Sequence, residues 1–313
     1  MPRRALVTGG AGFIGSHLVE RLLRDGWEVT TLDDLSSGDL ANLPRHSGER
    51  IRIVTGNVTD PRAAADACQG KDVVFHLAAV SSIQAAEDHP GLMKDVNVGG
   101  TRNVLERSAE ARVGSFVFAS SAAIYGRLPP PLKESQVPSP ISKYGRSKAL
   151  AEEICFRMAK EENPRVTVLR FFNVYGERSV GGEYAGVISK FAAAILKGEQ
   201  PVIYGTGRQS RDFVYIDDVV DALVRAGTSI APRERVYNVG TGKATTILQL
   251  MRLEARLLGR RTQPKAQHKP PREGDIDQSF ADITSVSTDL GYSPSVPFRE
   301  GLRRYLKWFG RNG

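Results

Sequence analysis

The strongest constraint on the fold of this chain is the run Ala5-Leu6-Val7-Thr8-Gly9-Gly10-Ala11-Gly12-Phe13-Ile14-Gly15, together with the acid that follows at Asp33. Ala5 to Thr8 read as a short buried strand. Ile14, Leu18 and Leu22, with Val19 and Leu23, then recur at helical spacing until Gly26. A strand therefore passes through a glycine-rich turn directly into a helix. Gly10, Gly12 and Gly15 fit G-x-G-x-x-G, and Gly9, Gly12 and Gly15 fit the variant G-x-x-G-x-x-G. Glycines there let a diphosphate approach bare backbone at the positive end of the helix dipole, and let the helix pack closely on its strand. Three glycines in ten residues could equally be a flexible turn. The second strand, Glu28 to Leu32, favours the first reading. It delivers Asp33 about 20 residues past the glycines, where a carboxylate accepts from a ribose diol and repels a 2′-phosphate. The stretch reads as a dinucleotide site, for NAD rather than NADP because no arginine closely follows Asp33.

Other function classes are disfavoured by composition. At 313 residues, 41% hydrophobic and 25% charged, the chain can bury a large core in one domain or two without staples. Its two cysteines, Cys68 and Cys155, support neither a disulfide framework nor a metal cluster, so no metal site is expected. The formal charge of +8 does not point to nucleic acid. Much of the excess lies in the last quarter, from Arg252 to Arg311, between apolar residues at helical spacing, as on a solvated face. No apolar window is long enough to span a membrane. Met1-Pro2-Arg3-Arg4 leads straight into the first strand without room for a signal peptide, and a cytoplasmic location is expected.

Strands at Ile51 to Thr55, Val73 to Leu77, Phe116 to Ala119 and Val166 to Phe171 alternate with helices at Ala63 to Cys68, about Leu92 to Ala111, and Lys143 to Glu162. Alternation of this kind implies crossover connections and a parallel sheet covered on both faces. The fold class expected is α/β: a Rossmann-type doubly wound parallel sheet with a smaller C-terminal substrate-binding domain. Residues 1–172 form the cofactor domain, to which 205–236 return, while 173–204 and 237–313 form the other. Ligands of such sheets bind outside the carboxyl ends of the strands. Asp33, Asn57, His76 to Ala79, Ser120 and Ser121 all stand there.

Tyr144-Gly145-Arg146-Ser147-Lys148 opens the helix after the proline-rich loop Leu128 to Pro140. Residues i and i+4 share a helical face, so Lys148 can hold its ammonium near the Tyr144 ring and lower the phenol pKa from about 10. Tyr144 is thereby a candidate general base for a sugar hydroxyl. Alone, the pair would be an ordinary feature of an exposed amphipathic helix. Ser121, at a strand end, supplies a hydroxyl for the same substrate oxygen.

With these residues in place, the chain resembles the extended short-chain dehydrogenase/reductase superfamily and, within it, the UDP-hexose 4-epimerases. The resemblance runs over essentially the whole chain. It is carried by Thr8 to Gly15, Asp33 to Gly38, His76-Leu77-Ala78-Ala79, Asn97 with Thr101, Ser120 to Gly126, Tyr144-x-x-x-Lys148, Arg170-Phe171-Phe172-Asn173, Arg211-Asp212-Phe213 and Arg272-Glu273-Gly274-Asp275. It implies Ser121, Tyr144 and Lys148 as catalytic residues, with Lys148 also bonding the nicotinamide ribose. It implies NAD held by Gly9, Gly12, Phe13, Ile14, Gly15, Asp33, Asn57, Val58, Leu77, Ala78, Ala79, Asn97, Tyr144, Lys148 and Phe171. For a UDP-sugar it implies Ser121, Asn173, Tyr204, Arg211, Arg272, Asp275 and Ser279. Among these, Asn173, Arg211 and Arg272 resemble diphosphate ligands, and Asp275 the acceptor of the UDP ribose hydroxyls. Tyr204 either stacks on uracil or is a strand-end core aromatic, and either arginine taken singly would be a surface ion pair. Relatives commonly dimerise through the helices at Leu92 to Ala111 and Tyr144 to Glu162, so a homodimer is implied.

The chain departs from the pattern in places. Asn57 replaces an aspartate that accepts from the adenine amino group, Lys143 replaces a proline, and Ser81 stands where some relatives place a lysine. Dehydratases and decarboxylases add an acid after the serine or threonine, whereas Ser121-Ala122-Ala123-Ile124-Tyr125-Gly126 has none. Oxidation and reduction at C4 then remain, which implies UDP-glucose/UDP-galactose exchange. At Ser279 a bulky tyrosine accompanies restriction to non-acetylated hexoses, so a serine leaves room for UDP-GlcNAc and UDP-GalNAc. UDP-glucuronate 4-epimerases, which often have threonine at the place of Asn173, are the alternative. A binding protein that keeps NAD without catalysis is disfavoured by the intact Ser121, Tyr144 and Lys148.

Overall fold

The computed structural model describes residues 2–44, 50–81, 91–160, 164–179, 186–229, 234–262, 264–271 and 274–312. Strands β1 (Arg4–Thr8), β2 (Glu28–Asp33), β3 (Ile51–Thr55), β4 (Val73–His76), β5 (Ser115–Ser121) and β6 (Arg165–Phe171) join Glu234–Val239 in one seven-stranded sheet. Its order is Glu234–Val239, β6, β5, β4, β1, β2, β3, and every pairing is parallel. The strand order reverses between β1 and β4, which opens a crevice at their carboxyl ends.

Side chains alternate across the sheet, so each strand feeds two cores. Ala5, Val7, Phe75 and Val117 face the helices Phe13–Arg24 and Ile216–Thr228, whereas Leu6, Val74, Phe116 and Phe118 face Pro61–Cys68, the helix over 92–110, and Lys143–Ala159. The helix over 92–110 is not uniform. Its segment Asp95–Gly100 is a π-helical stretch that re-aims Asn97 inward. The strand Glu234–Val239 runs three residues past 236 and belongs wholly to the sheet. A boundary at 236/237 would cut a hydrogen-bonded strand, so the return to the sheet extends to Val239.

Short strands build the other part. Val202–Tyr204 pairs with Gln267–Lys269, Asn173–Tyr175 with Phe213–Tyr215, and Ser210–Arg211 with both Thr245–Thr246 and Gln278–Ser279. Helices Val187–Lys197, Ile247–Leu257 and Phe298–Asn312 pack together there. Among the described residues no helix is long and apolar enough to cross a membrane.

Glu254 lies inside that helical packing, fully buried, and among the described residues neither carboxylate oxygen has a hydrogen-bond partner. Burial holds its pKa well above the usual carboxylate range. An acid whose pKa is raised by folding keeps the fold most stable below its unfolded value, near 4.3, and costs stability as pH climbs from there to the folded value. Glu254→Gln should therefore raise the melting temperature at pH 7 to 8, by an amount equivalent to roughly 1–3 kcal/mol. The gain should shrink on acidification towards pH 4. Melting curves across that range that coincide for the two proteins would contradict it.

Candidate active site

The glycine turn follows β1. Gly9 has φ +67°, and a Cβ there would lie 2.9 Å from the Ala78 backbone nitrogen. The loop after β4 is drawn against it because Thr8 Oγ accepts from the amides of Leu77 (3.1 Å) and Ala78 (3.2 Å). Gly15 sits on the first helical turn, where a Cβ would be 2.0 Å from the Gly9 carbonyl oxygen. The helix Phe13–Arg24 begins at Gly12 with no side-chain cap and no acid in its first turn. Its leading amides, Phe13 and Ile14 among them, thus remain for an anion. Asp33 ends β2, its carboxylate fixed by the amides of Ala11 and Leu35, each at 2.9 Å. A capless helix start beside an oriented carboxylate at the strand-order reversal suits the diphosphate and ribose of a dinucleotide.

Ser121 ends β5 and caps the short 3-10 turn Ala122–Tyr125, its Oγ accepting from the Ala123 amide at 3.2 Å. Tyr144 and Lys148 lie on the helix Lys143–Ala159, which Ser142 caps through the Gly145 amide. The Ser121 hydroxyl lies near enough to the Tyr144 phenol to favour its ionised form. Lys148 Nζ is buried, donates to the Ala119 carbonyl at 2.7 Å, and lies 4.8 Å from the Phe118 ring centroid and 6.0 Å from that of Tyr144.

The lowered phenol pKa expected from the sequence is not found in the chain alone. Burial pushes Tyr144 up to about 12, offset in part by the nearby Ser121 hydroxyl. The ammonium stands 6.0 Å from the ring centroid and donates to a backbone carbonyl. Burial also pushes Lys148 down to about 8, against the pull of the Glu152 carboxylate.

Several expected cofactor ligands have other partners. Asn97 is 1% exposed; its amide oxygen accepts from the Val80 amide (2.8 Å) and its nitrogen donates to the Val80 carbonyl and Ser147 Oγ, both at 2.9 Å. These bonds tie the loop after β4 to the Tyr144 helix and leave the amide oxygen one further lone pair. Asn57 likewise spends its amide oxygen on Thr59, backbone and hydroxyl, and its nitrogen on Asp34 at 2.7 Å. An adenine amino group would have to displace one of these. Val58 and Phe171 are buried, while Leu77, Ala78 and Ala79 line the loop, half-buried.

Arg211 and Asp275, expected on different parts of a UDP-sugar, form one ion pair. Arg211 donates to Asp275 Oδ1 and to the Ile276 carbonyl, both at 2.6 Å. Ser279 stands beside Arg211 in parallel register and is 7% exposed. Asn173 donates weakly to the Asp212 carbonyl at 3.4 Å, and Tyr204 ends its strand half-buried. Arg272 lies outside the described residues.

Two buried motif residues have structural roles that the sequence reading did not give them. Asp212, 0% exposed, accepts from Thr241, Gly242 and Ala281 and so knots three segments of the C-terminal part beneath Arg211. His76 bonds Thr8 Oγ (2.8 Å) and Thr101 Oγ (3.0 Å), and burial pushes its pKa down to about 3, so it is a neutral strut. The motif positions were visible in the sequence, but a strut and a knot show no periodicity of their own.

Fold and site together define a dinucleotide-dependent α/β enzyme of the Rossmann type, with a Ser-Tyr-Lys set at the sheet's carboxyl edge. The chain belongs to the NAD dependent epimerase/dehydratase family, whose sequence model matches residues 5–240. It is 38% identical over 312 residues to a UDP-glucose 4-epimerase of Mycolicibacterium smegmatis, covering 98% of each chain. It is also 32% identical over 321 residues to a UDP-N-acetyl-alpha-D-glucosaminuronate decarboxylase of Bacillus cytotoxicus, covering 99% of this chain and 98% of that protein. Among solved structures, it superposes with TM-score 0.93 and 35% identity on the UDP-N-acetylglucosamine 4-epimerase of Methanobrevibacter ruminantium M1 in complex with UDP-N-acetylmuramic acid, covering 100% of this chain and 99% of that one.

Proposed function

We propose that the chain interconverts UDP-hexoses at C4, UDP-glucose with UDP-galactose and UDP-GlcNAc with UDP-GalNAc. The observation that carries this reading is the stretch after β5. Ser121 stands beside the Tyr144 phenol, yet the turn Ala122–Tyr125 that follows offers no carboxylate for a second proton transfer at C5 or C6. NAD, when bound, supplies a hydride acceptor at C4 that later returns the hydride. The capless helix start and Asp33 would hold it. Tyr144 takes the 4-hydroxyl proton, with Ser121 holding the same oxygen, and gives the proton back after the sugar has presented its other face. Lys148 holds positive charge near the phenol while it is deprotonated. Arg211, oriented by Asp275, is placed to hold the nucleotide end while the hexose turns.

The relative named as a decarboxylase motivates the second reading, a UDP-uronate substrate. One assay separates the two: purified protein is given UDP-galactose, UDP-GalNAc or UDP-glucuronate without added NAD, and products are followed by NMR. UDP-glucose and UDP-GlcNAc should form. Turnover of the uronate alone, or NADH rising one for one with enzyme, would overturn the proposal.

Ser279 bears on the N-acetyl sugars, being small and packed next to Arg211. Ser279→Tyr should cut UDP-GalNAc turnover at least tenfold while UDP-galactose turnover stays within threefold. Equal losses on both sugars would remove Ser279 from the pocket. The exposed apolar residues Leu92 and Leu150, on the two helices expected at a dimer contact, support a homodimer as part of the same proposal, and sedimentation of the purified chain reads it directly.

A further inference from the structure

Tyr144, Lys148 and Glu152 follow one another at i, i+4 and i+8 and so share one inward face of their helix. The third member has no role in the chemistry above, yet it is 2% exposed and fully engaged. Its Oε1 accepts from Ser120 Oγ at 2.5 Å and from Arg170 Nε at 3.1 Å, and its Oε2 accepts from Arg170 Nη2 at 2.7 Å. Ser120 is the neighbour of Ser121 and lies opposite Arg170 in the β5–β6 register. The guanidinium reaches on to Tyr125 Oη (2.9 Å), at the far end of the turn that Ser121 caps, and Tyr125 donates to Asn238 Oδ1 at 2.6 Å. One desolvated ion pair thus ties the Tyr144 helix to the strand before Ser121 and to the turn after it.

A buried pair of this kind adds little net stability, because removing two charges from water offsets most of their attraction. Geometry is what it can supply. The Ser121 hydroxyl must meet the Tyr144 hydroxyl at hydrogen-bond distance, and misplacement by about 1 Å can cost on the order of 100-fold in rate. Lys148 Nζ, bonded to Ala119, anchors the same helix to the same strand one residue earlier.

Resting on the proposed Ser121–Tyr144 chemistry, we propose that Glu152, paired with Arg170, is a positioning residue that fixes the end of β5 and its following turn in register with the Tyr144 helix. Two variants test it. Glu152→Gln keeps the shape but removes the charge. Ser120→Ala removes one hydroxyl contact, leaves the ion pair intact, and should fold as the parent does. Glu152→Gln should lower kcat at least tenfold with KM for the UDP-sugar within threefold, and Ser120→Ala should lower kcat at least threefold with KM unchanged. In both, amide hydrogen exchange over 120–126 should quicken at least fivefold while exchange in β1 and β2 stays as in the parent. A Ser120→Ala protein with parental kcat and parental exchange over 120–126 overturns the proposal, as does a folded Glu152→Gln protein with parental kcat. If the parent converts no UDP-hexose, the functional reading fails separately, and the exchange measurement, which needs no sugar, still decides this one.

Discussion

Tyr144→Phe should lower the rate of UDP-hexose interconversion by at least 1,000-fold while leaving the fold and bound NAD in place. The phenol is the group positioned to take the C4 hydroxyl proton, and loss of a positioned general base costs typically 100- to 10,000-fold. Its ring is half-buried on a helix otherwise held by Ser142, Lys148 and Glu152, so removing one oxygen leaves those anchors untouched. The pKa of about 12 in the chain alone sets a second expectation. A base that remains protonated until alkaline pH cannot act at neutrality unless a neighbouring positive charge is added, so NAD-free protein should show a higher phenol pKa by ultraviolet titration than the holoenzyme. A Tyr144→Phe protein that turns over within tenfold of the parent would remove the phenol from the mechanism.

The second large effect belongs to Gly15→Ala. The added methyl would sit 2.0 Å from the Gly9 carbonyl oxygen and 2.9 Å from Gly10 Cα, both backbone atoms of the turn, so no side chain can swing aside. Either the turn opens or the helix retreats from β1, at a cost on the order of 3 kcal/mol. The expected protein melts several degrees lower, releases no NAD on denaturation, and has no detectable turnover without added cofactor. Recovery of Gly15→Ala with one NAD per chain would show that the turn does not hold the diphosphate.

How legible the molecule was in its sequence depended on how far each feature reaches along the chain. The β1–turn–helix unit, Asp33 and the six strands up to Phe171 are local patterns of apolar period and turn chemistry, and the structure places them within a few residues of expectation. The short strands Thr245–Thr246, Gln267–Lys269 and Gln278–Ser279 gave no such signal, because two or three residues cannot show a period and their partners lie far away in the chain. Thr284–Leu290 is a helix of only two buried positions, Val286 and Leu290, too few to stand out. At the site, spacing alone correctly suggested that Tyr144 and Lys148 share a face. It could not reveal that Lys148 would bond the Ala119 carbonyl, or that Arg211 and Asp275 would pair, since each contact needs residues brought together by the sheet. Glu152 was one turn further along the same face and needed Arg170, on another element, to give it meaning.

The parallel partner of β6 comes from Glu234–Val239, about sixty residues after Phe171. During synthesis at roughly 5–20 residues per second, the half-built sheet would expose an unpaired β6 edge for several seconds before its last strand emerged. Chaperone dependence and aggregation on heterologous expression should therefore be governed by that interval, and a nascent chain stalled between these two strands is the species in which such an edge would first find a wrong partner.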